Sequence, residues 1–240
     1  MIQPNFIIRS GGQTGVDRGT LDAAMDFNEA NPNVIKITGW CPLGRKAEDG
    51  PIHKRYPLSE TTTDDYSQRT EQNIRDSTGT LILLLNQNNS DNGTNYTIEK
   101  ANEFNKPLET IYFSGDRQNN IDQILNWLKE NQIRHLNVGG PRESNAPGIY
   151  DQTHIFILDL LNEMNEIALE IRKKFEAADA VILTLPEILQ AHPEAIYTSR
   201  LLNFENLPKP VNSIINQPYF DSKQIHLILP EDNSFDDEIQ

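Results

Sequence analysis

Over the first 150 residues, short apolar runs alternate with stretches whose apolar positions recur every three or four residues, the rhythm of βαβ units around a parallel sheet. Phe6-Ile7-Ile8 predicts a strand ending at Ser10-Gly11-Gly12, and Leu21, Ala24, Met25 and Asn28 share one face of the helix behind it. Val34 to Ile37 predicts a second strand and Tyr66 to Asp76 a helix. Thr80 to Leu85 is a strand apolar on both faces, which places it in the centre of the sheet. A helix over 94–105, a strand over 108–113, an amphipathic helix carrying Ile121, Ile124, Leu125 and Leu128, and a strand over 135–138 follow. The expected fold class is α/β, with a mainly parallel sheet between helical layers. A long loop over 38–65 interrupts the series, and its Trp, Arg and Gly content favours a functional role.

Beyond residue 155 the pattern changes. Ile157, Leu160, Leu161, Met164, Ala168, Ile171 and Phe175 form one stripe at helical spacing, and 180–183 and 225–229 read as strands. The expected organisation is a first domain over 1–162 and a C-terminal α/β extension over 163–240. The stripe is expected to seat the extension, which ends in the acidic tail EDNSFDDEIQ.

Charge and cysteine content narrow the function classes. With 21 Lys and Arg against 35 Asp and Glu in 240 residues, the net charge is −14, which argues against non-specific binding to nucleic acid or anionic membrane. The single Cys41 excludes an internal disulfide framework and a multi-cysteine metal site; beside Trp40 and Pro42 it reads as a small apolar residue closing a strand. The five histidines are scattered, with His135 and His226 inside apolar strands, and no metal ligand is assigned. No run approaches the ~18 apolar residues of a membrane span, and no signal-peptide pattern opens the chain, so a cytoplasmic location is expected.

Three turns carry the candidate chemistry. Ser10-Gly11-Gly12-Gln13-Thr14-Gly15 follows a strand and opens a helix, so its glycines allow close approach and the helix start offers free N–H groups to an anion. Asn92-Gly93-Thr94 begins the helix after the most apolar strand, where Thr94 also reads as a plain N-cap. Gly139-Gly140-Pro141-Arg142-Glu143-Ser144 follows the last strand, with Pro141 suited to a first helical turn and Arg142 to a phosphate or carboxylate. In a parallel sheet all three lie at the carboxyl ends of strands, where open α/β folds bind ligands. Helix starts add about 0.3–1 kcal/mol each, up to ~2 when partly buried. Tighter binding therefore needs side-chain cations. The candidate ligand-binding residues are Ser10, Gly11, Gly12, Gln13, Thr14, Gly15, Arg45, Arg75, Gly93, Thr94, Gly140 and Arg142, with Arg69 close by on the helix over 66–76. The plain alternative is that such glycine turns only join strands to helices.

The segments SGGQTGVDRGTLDAA, GWCPLGRKAEDGPI, RYPLSET, RTEQNIRDSTGTLIL, NGTNYTIEKA and LNVGGPRESNAPGIY, in that order, resemble the molybdenum carrier family. Its relatives include the algal and cyanobacterial molybdenum cofactor carrier proteins, within a wider Rossmann-like group that holds the lonely-guy (lysine-decarboxylase-like) phosphoribohydrolases. The resemblance covers about residues 5–162. It implies a Rossmann-like three-layer domain, often homo-oligomeric, that binds the phosphorylated pterin of molybdenum cofactor (molybdopterin) without altering it. The alternative it leaves open is a nucleotide-binding protein or a nucleoside-monophosphate phosphoribohydrolase. Those hydrolases carry PGGxGTxxE, with the Glu three residues after the Thr. Here Thr94 plus three is Thr97, and the carboxylate sits at Glu99. Two helical positions rotate a side chain by about 200°, which favours carriage over catalysis. A third class is a partner-binding protein that uses the acidic C-terminal segment.

Overall fold

The computed structural model describes residues 6–178 except Asn89, with side chains described as far as Glu170. A compact unit spans Met1–Glu170. Its backbone runs β1 (Phe6–Arg9), α1 (Val16–Ala30), β2 (Ile35–Thr38), β3 (Trp40–Cys41), β4 (Lys46–Ala47), β5 (Gly50–Pro51) and β6 (Ser59–Glu60). There follow α2 (Tyr66–Arg75), β7 (Gly79–Leu84), α3 (Asn92–Glu103), β8 (Leu108–Tyr112), α4 (Arg117–Glu130), β9 (His135–Gly139) and α5 (Ile149–Ala178), the last continuing past this unit.

The central sheet has the order β2-β1-β9-β7-β8, and every neighbouring pair is parallel. Alternation along the strands sorts side chains to two faces. Phe6, Ile8, Leu81, Leu83, Leu136 and Val138 join one core with Ala24 and Phe27 of α1, Ile124 and Leu128 of α4, and Ile157 and Leu160 of α5. The connections β1–α1–β2 and β7–α3–β8 run outward in opposite directions, so right-handed crossovers put α1 and α3 on opposite faces. A crevice is left over the carboxyl end of β9, between β1 and β7, where such folds take ligands. This is the expected three-layer Rossmann-like α/β architecture.

β7 is buried along its whole length, as its two apolar faces require. The middle position nevertheless belongs to β9, which carries His135 and Asn137. An apolar strand is one that is covered on both faces, and that condition holds for every interior strand, not for the middle one alone.

The loop over 38–65 builds a small subdomain. β3 pairs with β6, β4 pairs with β5, and Leu21, Cys41, Ile52 and Tyr56 form a second core cluster beneath them. No helix starts at Pro141. Residues 141–148 are irregular, and the Glu143 carboxylate accepts the N–H groups of Gly148 at 2.5 Å and Tyr150 at 3.0 Å, setting the start of α5 eight residues later than expected. Helix α5 then runs unbroken through residue 162. Ile157, Leu160, Leu161 and Met164, the first half of the apolar stripe, are buried in the core of the sheet. At about 1.5–3 kcal/mol for each large apolar side chain, this packing makes α5 as far as Met164 integral to the first unit. The Ile171 and Phe175 side chains, the strands expected at 180–183 and 225–229 and the acidic tail lie outside the described residues. Among the described residues, no helix is long and apolar enough to cross a membrane.

Candidate ligand-binding site

Strand β9 ends at Gly139-Gly140, where the three glycine-bearing turns meet. A Cβ on Gly140 would fall 2.4 Å from the Leu83 carbonyl oxygen and 2.7 Å from Val16 Cγ2. Gly15, at φ +71°, leaves no room for a side chain either, because Pro141 O would lie 2.5 Å from it. The Val16 N–H donates to that same oxygen at 3.2 Å. The first and third turns are therefore locked together by backbone contact.

A cavity of about 320 Å³ opens beside them, lined among others by Gln13, Asp17, Tyr66, Arg69, Gly93, Tyr96, Thr97, Asn137, Gly140 and Arg142. An open cleft of about 680 Å³ adjoins it, shares Asp91, Asn92, Gly93 and Arg142, and adds Ser144 and Asn145. A larger groove, about 990 Å³, runs along α1 and β2. None of the three glycine turns lines it, and its Asp22 already accepts from Arg55, Tyr56 and Tyr150.

Among the described residues, two cations face the cavity. Arg69 Nη1 donates to Asp17 Oδ2 at 2.9 Å, while its Nε is buried without a partner among the described residues. The Arg142 guanidinium lies 5.7 Å from the Tyr66 ring centroid and 3.7 Å from the Glu48 carboxylate. Gln13 is 5% exposed; its Oε1 accepts the N–H groups of Thr14 and Glu48, each at 3.0 Å. That pairing orients the amide, and its Nε2 is a buried donor with no acceptor among the described residues.

The protein's own carboxylates sit at the helix starts. Asp17 accepts the Gln13 N–H at 3.2 Å. Asp91 caps α3, accepting the Thr94 N–H at 2.7 Å and the Thr94 hydroxyl at 2.8 Å, and its other oxygen accepts from Asn145 at 2.6 Å. Burial pushes the Asp91 carboxyl up, but the Asn145 and Thr94 hydrogen bonds and the Arg142 charge outweigh it and hold the group below the usual carboxylate range. With Glu143 at α5, each helix start near the site already has an anion. The expectation of three free helix termini is thus corrected, which leaves side chains as the main means by which this cavity could hold an anion.

Of the residues expected from sequence, Gln13, Gly93, Gly140 and Arg142 line the cavity. Thr14 stands beside it, its hydroxyl donating to Glu48 and accepting the Glu143 N–H at 3.2 Å. Ser10 is buried and donates to Val138 O at 2.8 Å; Gly11 lies under Arg69, and Gly12 under Leu58. Thr94 is buried beneath its Asp91 cap. Arg45 is elsewhere, donating to the carbonyls of Ile52, His53, Tyr56 and Leu58 at 2.8–3.1 Å to hold the 38–65 subdomain together. Arg75 lies at the far end of α2, over the Phe104 ring at 3.9 Å and 3.5 Å from Glu71. Cys41 is fully buried and its thiol is pushed up chiefly by burial, as a packing residue would be.

The sequence reading missed Tyr66, Asp91, Tyr96 and Asn137. Two of these left a signal: Asp91 stands three residues before Thr94, a capping spacing, and Asn137 interrupts an apolar strand. Thr97 lines the cavity three residues after Thr94, whereas Glu99 is exposed and does not.

Comparison with known proteins places this site in context. The family described as "Circularly permutated YpsA SLOG family" matches residues 8–161, a span that takes in all three turns. Among solved structures, a "Putative molybdenum carrier protein" from Syntrophus aciditrophicus SB is 36% identical with a TM-score of 0.60, covering 65% of this chain and 94% of that one. The search of curated proteins gave no match.

Proposed function

The chain belongs to the circularly permutated YpsA SLOG family, and from that premise we propose that it is a carrier. It holds a phosphorylated, flat-ringed small molecule of the molybdenum cofactor type at the carboxyl edge of its sheet. The observation that carries this reading is the convergence of Gln13, Arg69 and Arg142 on one cavity of about 320 Å³ in a chain of net charge −14. Cations gathered against so acidic a background favour an anionic ligand. Tyr66 and Tyr96 supply aromatic wall for a ring, and the volume lies at the lower end of the range for small-molecule pockets. In this reading the ring enters the inner cavity, and its anionic tail lies in the adjoining cleft against Arg142. The name of the similar Syntrophus protein supports molybdenum as the cargo.

Carriage is favoured over hydrolysis by motif spacing: three residues after Thr94, where the phosphoribohydrolase motif carries its glutamate, this chain has Thr97, and Thr97 lines the cavity. The test is to purify the full chain from a host able to make molybdopterin and identify what accompanies it by mass and fluorescence. A pterin phosphate at near-equal ratio to protein supports the reading; a nucleotide alone contradicts the molybdenum assignment.

A further inference from the structure

Glu48 and Asp49 form the two-residue tip of the β4–β5 hairpin, and both carboxylates are clamped. Asp49 makes a two-point pair with Arg18, one bond being 2.7 Å. Glu48 instead reaches donors that belong to the first and third turns of the site. It accepts from the Thr14 hydroxyl, from the Ser144 N–H at 3.3 Å and from the Ser144 hydroxyl at 2.5 Å, with Arg142 Nη1 at 3.7 Å. Two hydroxyls, a backbone N–H and a guanidinium converging on one anion form the donor set of an oxyanion site. Arg142 and Ser144 also line the outer cleft.

We propose that Glu48 is an internal stand-in for the ligand's anionic group. The Thr14–Ser144–Arg142 site takes a phosphate-class oxyanion, and the Glu48 carboxylate leaves as it enters. This rests on the carrier reading given above. A dianionic phosphate and Glu48 cannot share these four donors, because they repel at close range and compete for the same protons. Exchanging one anion for the other leaves the donors satisfied in both states.

Asp49 keeps its pair with Arg18, so the exchange moves the hairpin only at Glu48. Arg45, held by four carbonyls, fixes the hairpin root, whereas Gly50 at φ +112° has open space around it. Gln13 couples the tip to the cavity. Its Oε1 holds the Glu48 N–H, and its unpartnered Nε2 gains freedom to meet a ligand acceptor once Glu48 leaves. A neutral ring offers no charge with which to displace Glu48, so the device selects phosphorylated ligands.

The experiment titrates inorganic phosphate and adenosine monophosphate into the full chain and its Glu48→Gln variant by calorimetry. Glu48→Gln keeps the shape and removes the charge, so phosphate should bind about tenfold more tightly or better, the scale of a charge-assisted contact. Adding Ser144→Ala should cancel the gain. Unchanged or weaker phosphate binding by a Glu48→Gln protein that melts like wild type overturns the proposal. Should that variant fail to fold, hydrogen exchange on the wild type decides. Phosphate saturation should speed exchange at residues 47–50, and slower exchange there overturns the proposal. Binding of adenosine monophosphate without a Glu48→Gln gain removes the stand-in and keeps a ring-phosphate site. A phosphate gain without adenosine monophosphate binding keeps the stand-in, and the carrier reading then stands or falls separately on the co-purified ligand.

Discussion

The Arg69 guanidinium occupies the space where Gly11 lacks a side chain: a Cβ there would come within 1.8 Å of Arg69 Nη1, the atom that donates to Asp17 Oδ2. A glycine of the first turn thus admits a cation, and Asp17, buried at the start of α1, fixes it. Gly11→Ala should push Arg69 aside and leave Asp17 without its ion pair. The expected loss is about 1–3 kcal/mol, the cost of an unsatisfied buried group, read by urea denaturation. A Gly11→Ala protein as stable as wild type would show that the pair adds nothing.

Arg142 and Arg75 are predicted to differ sharply. Arg142→Ala removes one charge-assisted contact at the cavity, about 1.5–3 kcal/mol or roughly ten- to a hundredfold in affinity for a phosphorylated ligand. Arg75→Ala, at the far end of α2 over Phe104, should leave that affinity unchanged. Equal losses measured by calorimetry would mean that the ligand lies elsewhere.

Arg45→Ala deletes hydrogen bonds to four carbonyls of the 38–65 subdomain. Stability should fall by at least about 2 kcal/mol, and limited proteolysis should cut first within residues 44–58. Cleavage that begins elsewhere, at unchanged melting temperature, would contradict a bracing role for this arginine.

Acid sensitivity should trace in part to Asp91. Its folded carboxyl lies below the ordinary value of 3.8, so below that value the unfolded chain takes up the proton first and stability falls with falling pH. The contribution is complete above the unfolded value and is lost as pH drops through the folded one. Denaturation curves between about pH 2 and 6 should therefore flatten on the acid side in Asp91→Asn. An unaltered acid limb would assign the loss to other carboxylates.

The main strands and helices were legible because their apolar periods are long enough to be unambiguous, as in β7 and α4. Of the cavity, the sequence showed the backbone, where Gly15 and Gly140 are required by close contacts, and named Gln13 and Arg142 among its lining. Side-chain roles were not legible, since Arg45, Arg75 and Arg142 look alike in sequence and diverge only through tertiary partners. The helix expected at Pro141 failed because Glu143, acting over five and seven residues, caps a later start. The pairs β3–β6 and β4–β5 are two residues per strand, too short to show any period, so Glu48 at a hairpin tip left no trace.

Carriage without chemistry is tested most directly by giving one preparation of the full chain both kinds of ligand. It should bind molybdenum cofactor saturably at near-equal ratio and release no free base from nucleoside monophosphates over repeated turnover times. Catalytic release of base and ribose 5-phosphate, with no measurable affinity for the cofactor, would contradict the account and identify an enzyme.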